Sequence, residues 1–395
     1  MNFSLTQEQE LLKDGLEKFL AKNYTIDFKK SLLESKSVSS PQIWDSFREM
    51  GLFDLFIPEE YSGFKGGPVE LMIIMETFGK FLVSEPFLNS VLSSKIISQG
   101  ALKWQKDILF SMISQGESII SPSIQEPSFN YLPLNVNLVG NFDGDFWTLN
   151  GKKNHIINGS ISEKFLTIVK TGNTNSLEKD LTFFIIESDL ENLDGKEYPF
   201  VDGTRALELE FKDLKITGDA VLGEVGSGYS ILQNVLDYGV IASVAESIGV
   251  LSQIFNLTST YIRERKQFGL SISQFQVIQH KLVDMYIKVE EAKSMMMMAV
   301  SAFDSDEYKD RQKKLSSAKS FVNNALKFII ENAIQLHGGM GVAEEMDLAL
   351  YVKRGLVLQN LFGDKLFHDK NLVALEKNIT SASNLQKKST KWKKL

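Results

Sequence analysis

The chain has 395 residues, 43% of them hydrophobic, which is enough for two or three domains with substantial cores. Its 43 basic and 50 acidic residues give a net charge of −7, which argues against nucleic acid as the main partner because phosphate binding needs a concentrated basic surface. The absence of cysteine excludes disulfides, thiolate metal ligands and a cysteine nucleophile. The four histidines lack the spacing of a metal site.

The beginning of the chain predicts a helix and no export signal. Residues 1–9 lack the basic region and the apolar stretch of a signal peptide. The sequence contains no run of roughly 18 consecutive apolar residues, the length that a membrane-spanning helix needs. Together these features predict a cytoplasmic protein without a transmembrane segment.

Helical periodicity dominates the first 118 residues. Thr6 and Gln9 have the spacing of a capping box, which predicts that a helix begins there. Ser40 followed by Pro41 predicts the start of another helix. Two further helices are predicted, at residues 70–83 and 101–112. Residues 1–118 are therefore predicted to form an all-α domain.

From residue 119 the pattern changes to short apolar runs separated by turn residues. Asn150-Gly151 predicts a hairpin, because a type I′ turn needs positive φ at both central positions. Residues 206–211 alternate between apolar and polar side chains and predict a half-buried strand. Residues 119–222 are therefore predicted to form a small β-barrel or sandwich domain.

Helical periodicity returns after Gly223 and continues almost to the end of the chain. Long helices are predicted over residues 229–262, 273–303, 309–336 and 344–362, the pattern of a four-helix bundle within residues 223–380. The lysine-rich residues 381–395 are predicted to be a flexible basic tail. The predicted fold class is α+β.

Two segments of the C-terminal region carry the most specific signals. They read Tyr261-Ile-Arg-Glu-Arg-Lys-Gln-Phe-Gly269 and Gln335-Leu-His-Gly-Gly-Met-Gly341. Together with the order of helical domain, β domain and bundle, they resemble the acyl-CoA dehydrogenase family of flavoproteins. The segment from Leu361 to Asp364, followed by His368, resembles the branch that acts on steroid side chains and dicarboxylates.

The resemblance implies that FAD is bound by both segments. Arg265 matches the family arginine that reaches the FAD pyrophosphate, a role that suits a planar guanidinium. Gln276 matches a polar residue beside the adenosine. A further set matches the segment that meets the cofactor of a neighbouring subunit: Gln335, Leu336, His337, Gly338 and Gly339. Glycine suits that place because backbone without Cβ can approach a ligand closely.

Two simpler interpretations of these residues stay open. In the first interpretation, Arg265 pairs with an acidic neighbour such as Glu264. In the second, the glycine pair only ends a helix.

The β domain retains part of the family's flavin-ring contacts. In the matching loop, residues 125–131, Glu126 and Pro127 remain, whereas the family's two glycines and serine are replaced. His155, Ile156 and Ile157 correspond to a Trp-Ile-Thr segment that packs on the ring. The resemblance thus implies binding of the adenine-nucleotide half of FAD more firmly than of the isoalloxazine.

The usual catalytic base is missing. Family chemistry removes a proton from Cα of the thioester with a glutamate while hydride leaves Cβ for flavin N5. The two positions where family members carry that glutamate are Gly363 and Gly239 here. Glu246, seven residues beyond Gly239 and nearly on the same helix face, and Asp364 are the candidate substitutes.

Two functional hypotheses follow. In the first, the chain carries out FAD-dependent α,β-dehydrogenation of an acyl-CoA thioester with a substitute base. In the alternative, it is a non-catalytic or half-site subunit that completes the FAD site of a partner. Both imply a homo- or hetero-oligomer, a dimer or tetramer, and an electron-transfer flavoprotein or similar acceptor. The sequence does not specify the acyl group.

Overall fold

The computed structural model describes residues 4–127, 136–174, 176–304 and 307–376. They divide into two compact units, one from Leu5 to Ala242 and one from Ser243 onward that also includes Ser4. The predicted domain boundaries at residues 118 and 222 stay predictions. The predicted basic tail, residues 381–395, lies outside the described residues.

Helices form the first part of the Leu5–Ala242 unit. They are α1 (Gln7–Asn23), α2 (Ile26–Glu34), α3 (Pro41–Glu49), α4 (Pro68–Phe81), α5 (Phe87–Gly100) and α6 (Lys103–Gln115). The predicted capping box is confirmed, since Gln9 N–H donates to Thr6 Oγ1 and Thr6 N–H donates to Gln9 Oε1. The sequence did not predict α5, because serines such as Ser93 and Ser94 are buried together with its apolar residues and no amphipathic stripe results.

A seven-stranded sheet follows in the same unit. Its strands are β1 (Ile120–Ser123), β2 (Val139–Phe142), β3 (Phe146–Ile157), β4 (Lys164–Lys170), β5 (Leu181–Glu187), β6 (Leu193–Pro199) and β7 (Arg205–Thr217), with α7 (Leu177–Asp180) before β5. The strand order is β1-β4-β2-β3-β7-β6, and β5 pairs with β4. The predicted half-buried strand is confirmed within β7, where Leu207, Leu209 and Phe211 are buried.

The predicted hairpin at Asn150-Gly151 is wrong. β3 runs through both residues, and its pairing with β7 shifts register between Leu149 and Gly151. Asn150 exchanges hydrogen bonds with Asp213 on β7 at 2.8 and 2.9 Å, so its amide ties two strands together. The positive φ of Gly151, +143°, serves a β-bulge.

The C-terminal helices confirm the predicted order of helical, β and helical regions. α8 (Gly228–Glu264) spans the division between the units; a short hairpin of β8 (Lys266–Gln267) and β9 (Leu270–Ser271) follows, and then α9 (Gln276–Val300), α10 (Tyr308–His337), α11 (Asp347–Leu358) and α12 (Lys365–Glu376). α12 was not predicted. The last predicted helix, 344–362, ends at Leu358, and a turn with positive φ at Phe362 and Gly363 precedes α12.

Among the described residues, α8 alone is long and apolar enough to pass a length-and-composition test for a membrane span, and 72% of its most apolar window is buried. A buried core helix of a globular protein passes the same test. The predicted cytoplasmic location stays a prediction.

Candidate active site

The two signature segments meet in the C-terminal unit. The ring of Tyr261, near the end of α8, stacks on the imidazole of His337 with centroids 4.2 Å apart, and its hydroxyl donates to the His337 carbonyl at 3.3 Å. His337 is buried, and its Nδ1–H donates to the Ala333 carbonyl at 2.9 Å. Burial lowers the pKa of His337, so the ring is neutral at pH 7. This contact fixes the end of α10 beside the end of α8.

The polar side chains predicted to bind FAD lie on the surface of the same unit. Arg265 is exposed, and its guanidinium makes no ion pair with any described residue, Glu264 included. Gln276, the first residue of α9, and Gln335 are also exposed, whereas Leu336 is buried beneath the segment. These three polar side chains are therefore available to a ligand.

The glycine pair offers open backbone. A Cβ built on Gly338 or Gly339 would meet no atom within 4 Å. Gly338 ends α10 with φ of +60°, so it does terminate the helix as the simpler interpretation requires. The space beside both glycines also fits the close approach of a ligand such as a dinucleotide. One segment thus satisfies both interpretations.

Glu126 lies in the Leu5–Ala242 unit and is used internally. Its carboxylate pairs with the fully buried Lys153 at 2.8 Å and accepts the backbone N–H groups of Asn137 and Leu138. Burial alone would raise the pKa of Glu126, but Lys153 and the two N–H groups bring it below its usual value. Burial lowers the pKa of Lys153 to about 8 against the opposing charge of Glu126. Pro127 is exposed at the edge of the described residues, and 128–131 of the matching loop lie outside them.

His155 belongs to an aromatic cluster on the sheet. It has a positive φ, +54°, at the register shift of β3 between Lys153 and Ile156, and its ring lies 5.9 Å from those of Tyr198 and Phe200. The backbone N–H of His155 donates to the Tyr198 hydroxyl at 3.0 Å. Of the two residues that follow, Ile156 is buried and Ile157 is partly buried, its carbonyl accepting from Asn89. The imidazole is the exposed member of the predicted ring-packing segment.

Gly363, the position of the usual base, has no room for a side chain. Its φ is +114°, and a Cβ there would lie 2.7 Å from Phe367 Cδ1 and 2.9 Å from His368 Cδ2. His368 is buried and donates from Nε2 to the Phe362 carbonyl at 3.0 Å. Burial, assisted by the charge of Lys319, lowers the pKa of His368 to about 3, so the ring is neutral and keeps that donor in place. The imidazole occupies the space that a side chain at 363 would need.

Side chains of α10 hold the turn before α12. Lys319 is fully buried and donates to the Leu358 carbonyl at 2.7 Å. Asn323 donates to the carbonyls of Gln359 and Gly363 at 3.1 and 3.3 Å. Together with His368 these contacts bind four carbonyls between residues 358 and 363, so the backbone around the missing base is firmly positioned.

Both candidate substitute bases have structural partners. The buried carboxylate of Glu246 pairs with Arg354 Nε at 2.6 Å. Asp364 Oδ1 accepts the N–H of Phe367, the third residue of α12, at 2.7 Å, which is the geometry of an N-cap. Gly239, the other base position of the family, is buried in the part of α8 that belongs to the Leu5–Ala242 unit. The roles of all three positions in catalysis stay predictions.

Two family models match this sequence. The N-terminal domain of acyl-CoA dehydrogenases matches residues 6–117 and the C-terminal domain matches residues 226–367, which together exceed half of the chain. The chain belongs to the acyl-CoA dehydrogenase family. This family comprises oxidoreductases that act on CH–CH bonds, and FAD is its cofactor.

Known proteins with similar sequence or fold cover almost the whole chain. Probable acyl-CoA dehydrogenase YngJ of Bacillus subtilis is 26% identical and aligns with 87% of this chain and 91% of its own length. The acyl-CoA dehydrogenase from Geobacillus kaustophilus has a TM-score of 0.86 at 21% identity, covering 96% of this chain and 100% of that chain. A chain of the ChsE4-ChsE5 complex from Mycobacterium tuberculosis has a TM-score of 0.85 at 17% identity, covering 97% and 100%. These two structures share the fold.

In this acyl-CoA dehydrogenase family member, four polar side chains act through distant partners and were not predicted from the sequence. They are Lys153, Lys319, Asn323 and Arg354. Lysine, arginine and asparagine at helix or strand positions are usually solvent-exposed, and nothing local marks Lys153 or Arg354 as buried or partly buried. The only sequence signal was the apolar surroundings of Lys319 and Asn323 in the predicted helix 309–336.

Replacing Arg265 with alanine is expected to weaken FAD binding. A guanidinium that makes charge-assisted hydrogen bonds to a phosphate contributes on the order of 1.5–3 kcal/mol, so the Kd should rise about 10- to 150-fold. The measurement is fluorescence titration of apoprotein with FAD. Arg263→Ala is the matched control, because the Arg263 guanidinium donates to the Ser259 carbonyl of its own helix. An equal effect of both changes would contradict the assignment.

Proposed function

We propose that this chain is a subunit of an acyl-CoA dehydrogenase assembly that catalyses FAD-dependent α,β-dehydrogenation of an acyl-CoA thioester, and that another chain supplies the base. FAD, when bound, accepts the hydride from Cβ of the substrate. Arg265 and Gln276 hold the pyrophosphate and adenosine of the cofactor. The backbone of Gly338 and Gly339 approaches the cofactor of a neighbouring subunit, and Gln335 orients its polar groups.

The observation that carries this proposal is the state of the base positions. Gly363 has neither the backbone conformation nor the space for a glutamate. The Glu246 carboxylate faces the Arg354 guanidinium, and proton removal requires a carboxylate that can reach Cα of the substrate. Asp364 is engaged with the first turn of α12. A partner with an intact glutamate would complete the chemistry.

Exposed apolar side chains beside the signature segments support an oligomer. Phe268 is 92% exposed in the β8–β9 turn, Val342 is 73% exposed after the glycine pair, and Val277 is 62% exposed on α9. Large apolar side chains this exposed beside the signature segments are typical of a surface that a partner covers. The similar ChsE4-ChsE5 structure is a complex of two named components, which is consistent with a heteromer here. Electrons then pass to an electron-transfer flavoprotein or a similar acceptor.

Anaerobic titration with acyl-CoA tests the proposal. The chain is loaded with FAD and titrated with butyryl-CoA, octanoyl-CoA and adipoyl-CoA, first alone and then co-purified with the family member encoded nearest to it. We expect the oxidised-flavin band to bleach in the complex only, while dithionite bleaches it in both samples.

Three results would overturn the proposal, the first being an FAD-loaded complex that binds acyl-CoA without bleaching of its flavin. Rapid bleaching of the isolated chain, saturating near one substrate per flavin, would establish a self-sufficient enzyme with Glu246, Asp364 or another group as base. Failure of both the chain and the complex to take up FAD would remove the cofactor assignment for this chain.

A further inference from the structure

Lys95 is a partly buried cation without an acidic partner in the Leu5–Ala242 unit. It lies on α5 and donates one hydrogen bond, to the Gly66 carbonyl at 3.2 Å. Its Nζ lies 4.8 Å from the ring centroid of Tyr238 and 5.5 Å from that of Phe56. No described carboxylate forms an ion pair with it, and an ammonium carries three donors, so donor capacity is left over.

The nearest acidic influence on Lys95 is Glu70, which is engaged elsewhere. One Glu70 oxygen accepts from Gln9 Nε2 and the other from Gly67 N–H, both at 2.7 Å. Burial lowers the pKa of Lys95 to about 8, and the charge of Glu70 opposes that shift. The side chain is therefore still mainly an ammonium at pH 7. Faces of Tyr238 and Phe56 stabilise the cation without using its remaining donors.

Lys95 lies where α5 packs against the beginning of α8. The two helices run antiparallel, because Gly100 of α5 contacts Ile231 of α8 while Lys95 contacts Tyr238 farther along. Asn234 lies between these contacts, one turn before Tyr238, and its side-chain oxygen is buried without a hydrogen-bond partner among the described residues. Since amide oxygen and nitrogen are interchangeable by a flip, Asn234 can present either an acceptor or a donor.

We propose that Lys95, Tyr238 and Asn234 bind a carboxylate at the far end of the acyl group, so that the substrate is the mono-CoA thioester of a dicarboxylic acid. This inference rests on the proposed function, since it assigns the acyl group to the helix that carries Gly239. A carboxylate supplies the counter-charge that Lys95 lacks and accepts its free donors. The rings of Tyr238 and Phe56 suit the methylene chain of such an acid better than a hydrated phosphate of CoA.

Equilibrium dialysis of the FAD-loaded protein, alone and in its complex, tests this inference without turnover. The ligands are adipoyl-CoA and hexanoyl-CoA, which differ at the distal carbon by a carboxylate in place of a methyl group, and free CoA. We expect adipoyl-CoA to bind at least about tenfold more tightly than hexanoyl-CoA. Lys95→Met should bring the two affinities within about twofold, whereas Lys103→Met, a change at an exposed lysine, should keep the preference.

Three outcomes would overturn the carboxylate site. They are equal binding of both thioesters by the unchanged protein, a preference that survives Lys95→Met, and loss of free CoA binding in that variant, which would place Lys95 at the CoA phosphates. If Lys95→Met does not fold, Lys95→Gln serves in its place, and the comparison on the unchanged protein still decides. In the complex, preferential binding of adipoyl-CoA without flavin bleaching would reject the dehydrogenation proposal alone, so the two failures are distinguishable.

Discussion

Gly363→Glu is expected to destabilise the C-terminal unit rather than restore a catalytic base. A residue with a Cβ at φ of +114° is strained by about 1–3 kcal/mol, and overpacking against Phe367 and His368 adds about 1–3 kcal/mol. The free energy of unfolding should therefore fall by about 2–6 kcal/mol. Urea denaturation measures this loss, and flavin bleaching by acyl-CoA should stay absent in the isolated variant.

Smaller substitutions separate the two causes at Gly363. Gly363→Ala carries the backbone strain and the contact with His368, whereas Gly144→Ala has a similar φ of +110° with no atom within 4 Å of the new Cβ. We expect Gly363→Ala to be the more destabilising. Adding His368→Ala to Gly363→Ala should cost less than the sum of the two single changes, because the crowded contact is then gone. Strict additivity would contradict the crowding argument.

Glu246→Gln is expected to lower the free energy of unfolding by about 3–5 kcal/mol, because it removes one charge of a buried ion pair. The Glu246 side chain is 3% exposed and that of Arg354 is 15% exposed, so water screens the pair little. The Glu246 charge also opposes the effect of burial on Lys319, whose pKa is lowered to about 7. Denaturant unfolding is the measurement, with Glu345→Gln on an exposed carboxylate as control.

The same variant distinguishes a structural carboxylate from a base. A structural role predicts lost stability with unchanged flavin reduction per folded molecule in the complex. If Glu246 is the catalytic base, the variant should keep an intact fold while its turnover falls by roughly 10² to 10⁴. Adding Arg354→Met to Glu246→Gln should recover part of the lost stability, since neither charge of the pair is then buried.

Local sequence patterns were sufficient for most of the architecture. The capping box at Thr6, the helix start at Pro41, the alternation in β7 and the long helices after Gly223 depend on residues within a few turns of each other. At these places the tertiary contacts agree with the local signals. The signature segments likewise identified the family, because their order and residue types are readable without coordinates.

Tertiary contacts decided the features that local patterns misplace. Asn150-Gly151 has the sequence of a hairpin turn. The Asn150 side chain, however, hydrogen-bonds to Asp213, 63 residues away on another strand, and the dipeptide forms a β-bulge. Leu358 ends α11 where Lys319 of another helix binds its carbonyl, and the turn before α12 follows. In both places a long-range hydrogen bond outweighs a local preference worth only tenths of a kcal/mol per residue.

The fold class, the family and the absence of a glutamate at 239 and 363 are readable without coordinates. The roles of the remaining carboxylates depend on long-range packing. Glu246 meets Arg354 across 108 residues and Glu126 meets Lys153 across 27, and no spacing rule relates such partners. The physical reason is that a buried charge is stable only where folding brings it a counter-charge, and that neighbour is chosen by the packing of whole helices and strands.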